Sequence, residues 1–121
     1  MALVVKEQNN SLYGVNRALS ALSVNMVDYL IYKDIIEKDR DYSQLSNYSS
    51  YEDKVFQNKR DFIAEFSKLS DAEAKQFAEN IKSGKYNDNK QSGEYSKKAI
   101  GATIDFVGEQ YNKRFENERT K

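Results

Sequence analysis

The sequence predicts an all-α fold: a compact bundle of three to four helices whose long N- and C-terminal helices pack antiparallel. Three observations carry this. The 121 residues include no proline and only five glycines, so little interrupts helix formation. Apolar residues recur at helical spacing in four separate stretches. A 39% apolar and 12% aromatic composition supplies a core, while 31% charged residues demand a well-solvated surface. A 14.0 kDa chain has the size of a single cooperative domain, expected over residues 10–118, with residues 1–9 as an arm or short strand and 119–121 as a frayed end.

The first helix is expected from about Ser11 to Lys38. Leu12, Val15, Leu19, Leu22, Met26 and Tyr29 follow alternating spacings of three and four, which sets them on one stripe. Val27, Leu30, Ile31, Ile35 and Ile36 widen the apolar surface of its second half. The stripe lasts under three heptads, so an internal core position is favoured over a coiled-coil seam between chains. A second helix is expected from Ser49 and Ser50, where Ser49 with Glu52 matches a capping box. Its core face is read as Val55, Phe56, the stem of Lys59, Phe62, Ile63, Phe66 and Leu69. Ser70 with Glu73 forms another capping box and starts a third helix bearing Ala74, Phe77, Ala78 and Ile81, which Gly84 is placed to end. Residues 83–93 are small and polar and predict a loop. The last helix is expected over about Glu94 to Glu116. Tyr95, Ala99, Ala102, Thr103 and Phe106 make one stripe, and Ile100, Ile104, Val107, Tyr111 and Phe115 make a second. The mixed charges from Lys113 to Lys121 predict a solvated or fraying end.

Composition narrows function more by exclusion than by motif. The chain has no histidine, cysteine or tryptophan, which removes disulfides, thiolate chemistry, the usual general base and the commonest metal ligands. Asp39 with Asp41 and Glu52 with Asp53 lie in polar sequence where nothing would raise a carboxyl pKa for acid chemistry. Asn87, Asp88 and Asn89 lack the ligand alternation, central glycine and terminal glutamate of a calcium loop. No phosphate-cradling glycine loop, nucleophile elbow or dinucleotide fingerprint is present. The expectation is a non-enzymatic protein with no catalytic residues, no metal and no cofactor.

Nineteen basic and nineteen acidic residues cancel, and the cancellation holds in each half of the chain. Neither half is an obvious polyanion binder, and little long-range repulsion opposes self-association. Ala2–Val5 is too short for a signal-peptide core of roughly 7–15 residues, and no stretch nears the roughly 20 apolar residues that span a bilayer. Cytoplasmic residence without membrane contact is expected, with signal-less secretion left open.

Three surfaces are candidates for function. Arg40 with Tyr42, Tyr48 and Tyr51 lies in the stretch 40–53, where tyrosines alternate with serines and amides as they do in binding loops. The competing role is to tack that connection onto the bundle. Gly101 and Gly108 lie two turns apart on one helix face. Glycine costs about 1 kcal/mol against alanine within a helix, so the pair implies close approach, either by the first helix or by another molecule in self-association. Lys85, Lys90, Lys97 and Lys98, with Tyr86 and Tyr95 among them, form the weaker nucleic-acid candidate. The leading expectation is an accessory protein of the phage, mobile-element or bacterial secretion and competition kind, an adaptor or inhibitor that occludes or bridges a protein target. A self-assembling structural subunit is the alternative, followed by a nucleic-acid-binding accessory protein.

Overall fold

The computed structural model describes the backbone of residues 2–83 and 93–120 and the side chains of residues 12–83 and 93–116. The elements in order are α1 (Ala2–Glu37), a 3-10 turn (Tyr42–Gln44), α2 (Leu45–Ser67), α3 (Asp71–Lys82) and α4 (Glu94–Thr120). The chain forms the expected all-α bundle. Helix α1 packs most extensively on α2 and then on α4. Both neighbours run antiparallel to it: Gly14 meets Glu65, Asn25 bonds Asn58, and Tyr32 stacks on Tyr51, while Asp34 near the end of α1 meets Tyr95 at the start of α4.

The core is aromatic at its centre. Phe62 of α2 is 0% exposed, and its ring lies 5.5 Å from Phe66, 5.8 Å from Phe77 of α3 and 5.5 Å from Phe106 of α4. One side chain thus joins three helices. The predicted stripe of α1 turns inward as expected, with Val15, Leu19, Leu22 and Met26 buried and Leu12 and Tyr29 packed at the margin. Ala74, Phe77 and Ile81 bury α3, and Ala99, Phe106, Val107 and Phe115 bury α4. The Ser70–Glu73 capping box forms with both of its reciprocal bonds, satisfying amides that the first turn of α3 leaves unpaired.

Four expectations are corrected. Helix α1 begins at Ala2, so residues 2–9 are helical rather than a short strand, because no glycine or proline stops the helix there. At the other end α4 continues through Thr120, past the expected fraying point. Helix α2 begins at Leu45, before Ser49, and Glu52 accepts a hydrogen bond from the Tyr48 hydroxyl at 3.2 Å. Ser49 is already inside the helix, where no free first-turn amides remain to cap. Phe56 and Ile63 are 47% and 44% exposed, because the face of α2 that enters the core is the narrower line of Val55, Phe62 and Phe66. Gly84 lies outside the described residues.

The link from α2 to α3 is held by one residue of α4. Arg114 donates to the carbonyl of Phe66 at 2.7 Å, to the carbonyl of Leu69, and to the carboxylate of Asp71 at 3.3 Å. Its guanidinium also lies 5.1 Å from the Phe66 ring centroid and 5.7 Å from that of Phe115. The last carbonyls of a helix have no partner within it, and a forked cation satisfies them while matching the negative end of the helix dipole.

Candidate protein-binding surfaces

The turn between α1 and α2 is short and pinned. The Asp41 amide donates to the Ile35 carbonyl at 3.2 Å, and Arg40 takes a φ of 57°, in the left-handed region that non-glycine residues enter at a cost of about 1–2 kcal/mol. The Asp41 carboxylate then accepts from both the amide and the hydroxyl of Ser43, which fixes the 3-10 turn.

The three tyrosines of this region divide. Tyr48 stacks on Tyr29 and Tyr51 on Tyr32, each with ring centroids 5.6 Å apart and planes 22° and 14° from parallel. The Tyr48 phenol is held well above its ordinary pKa, first by its hydrogen bond with Tyr29 and then by burial, so it stays neutral. The ammonium of Lys54 lies 4.6 Å from the Tyr51 ring centroid. Tyr48 and Tyr51 are therefore scaffold residues on α2 rather than loop contacts. Tyr42 is different: it is 60% exposed, with Leu45 beside it 47% exposed and Arg40 also open to solvent.

A second surface lies between α3 and α4. Lys75 at the start of α3 sits over Phe115 late in α4, while Ile81 and Lys82 share a groove with Ile104, so the two helices are antiparallel. The groove encloses about 420 Å³ and is lined by Ala78, Ile81, Ile104, Val107, Gly108 and Tyr111, with Lys75, Glu79, Lys82 and Asn112 around it.

Gly101 and Gly108 do not mediate close packing on α1. A Cβ built at either meets nothing within 4 Å, because Ala99, Thr103 and Phe106 turn toward the bundle and leave the glycines outward. The glycine at a close approach is Gly14, where a Cβ would lie 2.2 Å from the Glu65 carboxylate.

Of the lysines, Lys97 and Lys98 are exposed on α4, and Lys98 pairs with Glu94 at 3.2 Å and lies 5.8 Å from the Tyr95 ring centroid. Lys85, Lys90, Tyr86 and the Asn87–Asn89 stretch lie outside the described residues. Tyr95 donates to the Asp34 carboxylate at 2.8 Å; this bond, with the charges of Lys38 and Lys98, holds Asp34 below the usual carboxylate range and raises Tyr95. Among the described residues no three metal-ligating side chains converge, and no helix is long and apolar enough to cross a membrane.

The chain matches no family model, no curated protein and no solved structure.

Two features of these surfaces escape the sequence. Leu45 reads as part of a polar connection, and only the early start of α2 sets it beside Tyr42. Nothing in the sequence singles out Lys75, and Lys82 reads as the first of the lysines that run to Lys98; only the return of α3 along α4 sets both on the edge of an apolar groove.

Proposed function

We propose that the chain is a non-enzymatic protein-binding accessory protein, an adaptor or inhibitor that engages its target through the tip of the α1–α2 hairpin. The observation that supports this is the contrast among the tyrosines: two are consumed by stacking within the scaffold, while Tyr42 stays 60% exposed between Arg40 and Leu45. Tyrosine and arginine dominate the energetics of protein interfaces, and a side chain carried on a backbone already fixed by a capped turn costs less ordering on binding than one on a loose loop. The positive φ of Arg40 adds support, since backbone strain that the surroundings maintain concentrates at functional positions.

The test is affinity capture from the native host, with and without nuclease, using the wild-type chain and Tyr42→Ala. The expected result is a stoichiometric, nuclease-resistant protein partner that Tyr42→Ala loses, with helicity and melting unchanged. Tyr48→Phe and Tyr51→Phe should retain it. Capture that is indifferent to Tyr42, or that nuclease abolishes, overturns the proposal.

A further inference from the structure

Helix α2 keeps one apolar line outside the bundle, and the charges beside that line specify what covers it. Phe56 and Ile63 are two turns apart on one side of the helix and are 47% and 44% exposed. At about 100° per residue, the core face of Phe62 and Phe66 lies between this line and the residues that meet α1, Tyr51 and Asn58. Within about a quarter turn to either side of the line, α2 carries four charged residues. Glu52 and Asp53 precede Phe56 by four and three residues, and Lys59 and Arg60 follow it by three and four. Glu52 and Lys59 share the flank toward the bundle, where Glu52 accepts from the Tyr48 hydroxyl at 3.2 Å and the Lys59 ammonium lies 5.3 Å from the Phe106 ring centroid. Asp53 and Arg60 share the outer flank and are exposed, with Arg60 donating to Gln57 at 3.0 Å. Each flank therefore runs from acidic to basic along the helix, with Phe56 at the midpoint.

A second copy of the same helix, laid antiparallel, satisfies this pattern. A twofold axis perpendicular to α2 at Phe56 sets each flank against its own counterpart and reverses its direction. Asp53 then faces Arg60 of the second copy and Glu52 faces its Lys59, each pair occurring twice. The two Phe56 rings meet on the axis, and Ile63 falls opposite Ser49, a side chain small enough to admit it. A parallel pair in register would instead set like charges against like. We infer that this face of α2 is a homodimer interface, antiparallel and centred on Phe56. A twofold interface must present one self-complementary patch, and here both flanks give the same centre independently. The zero net charge of the chain sets no long-range repulsion against the pairing. Because the hairpin tip immediately precedes α2, the two tips of such a dimer point in opposite directions, each about 20 Å along the helix from the axis, so that one dimer can bridge two target molecules.

Sedimentation equilibrium and light scattering across micromolar to submillimolar concentration test this on the full chain. The expected result is a concentration-dependent rise from 14.0 kDa to twice that mass. Asp53→Lys and Arg60→Glu should each weaken association about tenfold or more, because each sets like charges face to face at two symmetry-related places, and the double variant should restore it. Both positions are exposed, so these variants keep the fold of the chain itself. Phe56→Ser should give a monomer with unchanged far-UV circular dichroism, since nearly half of the ring lies outside the core. A dimer indifferent to Phe56→Ser, or charge reversals that do not rescue one another, would overturn the inference. A chain that stays monomeric throughout would overturn it too, and would leave the line of Phe56 and Ile63 to a different protein. Tyr42→Ala should leave the mass unchanged, so partner capture through the tip and self-association through α2 succeed or fail separately.

Discussion

Arg114 offers the sharpest test of how this fold is held together. Arg114→Ala removes two hydrogen bonds to the carbonyls of Phe66 and Leu69, the contact with Asp71, and the stacking over Phe66 and Phe115. Hydrogen bonds to a charged group contribute about 1.5–3 kcal/mol each, and a cation over an aromatic face about 0.5–2 kcal/mol. The side chain is only 21% exposed, so solvent screens little of this. The Asp71 carboxylate is 68% exposed, so that pair adds almost nothing. Because these contacts share one guanidinium they do not sum, and a loss of about 3–5 kcal/mol is expected. At roughly 2.1 cal/mol/K of unfolding entropy per residue, the 121-residue chain should melt about 12–20 °C lower. Urea denaturation followed by far-UV circular dichroism measures the change directly. Arg114→Lys should recover less than half of it, since an ammonium keeps the charge but not the fork that reaches two carbonyls. A loss under about 1 kcal/mol for Arg114→Ala, or full rescue by lysine, would show that the α2–α3 link does not depend on this residue.

Two further outcomes follow from the same geometry. Gly101→Ala should stabilise the chain by about 1 kcal/mol, because helix propensity improves and the new methyl meets nothing; an unchanged urea midpoint would show that the position is not open. Asp34 has a folded-state pKa below its unfolded value of about 3.9, so its contribution is present at neutral pH and is lost as pH falls through the folded-state value. Tyr95→Phe removes the main cause of that depression, so the difference in stability between pH 7 and pH 3 should shrink, and an unaltered difference would assign the acid sensitivity to other carboxylates.

The helices were legible because their signals are local. The 3-4 spacing of Leu12 to Tyr29 and the Ser70–Glu73 box depend only on residues within a turn or two of each other, and both appear in the structure as read. Sequence patterning also separated Tyr95 and Ala99 from Ile104 and Tyr111 as two stripes of α4. It did not say that one stripe meets α1 while the other borders an open groove. Phe56 and Ile63 went wrong for a related reason: helical periodicity gives the direction of an apolar face but not its width, which depends on how many neighbours surround the helix. Gly101, Gly108 and Gly14 are chemically the same in the sequence, yet only Gly14 lies under a neighbouring helix.

By itself, then, the sequence determined an all-α chain with a set of inward stripes and no histidine or cysteine. The tertiary structure decided which tyrosines of the α1–α2 hairpin stack into the scaffold and that Tyr42 stays exposed, where Arg114 reaches, and that the two glycines face outward beside a groove. Those outcomes rest on contacts between residues tens of positions apart, such as Arg114 with Phe66 or Tyr95 with Asp34. No local propensity encodes such pairings; they exist only once the core has fixed the helices against one another.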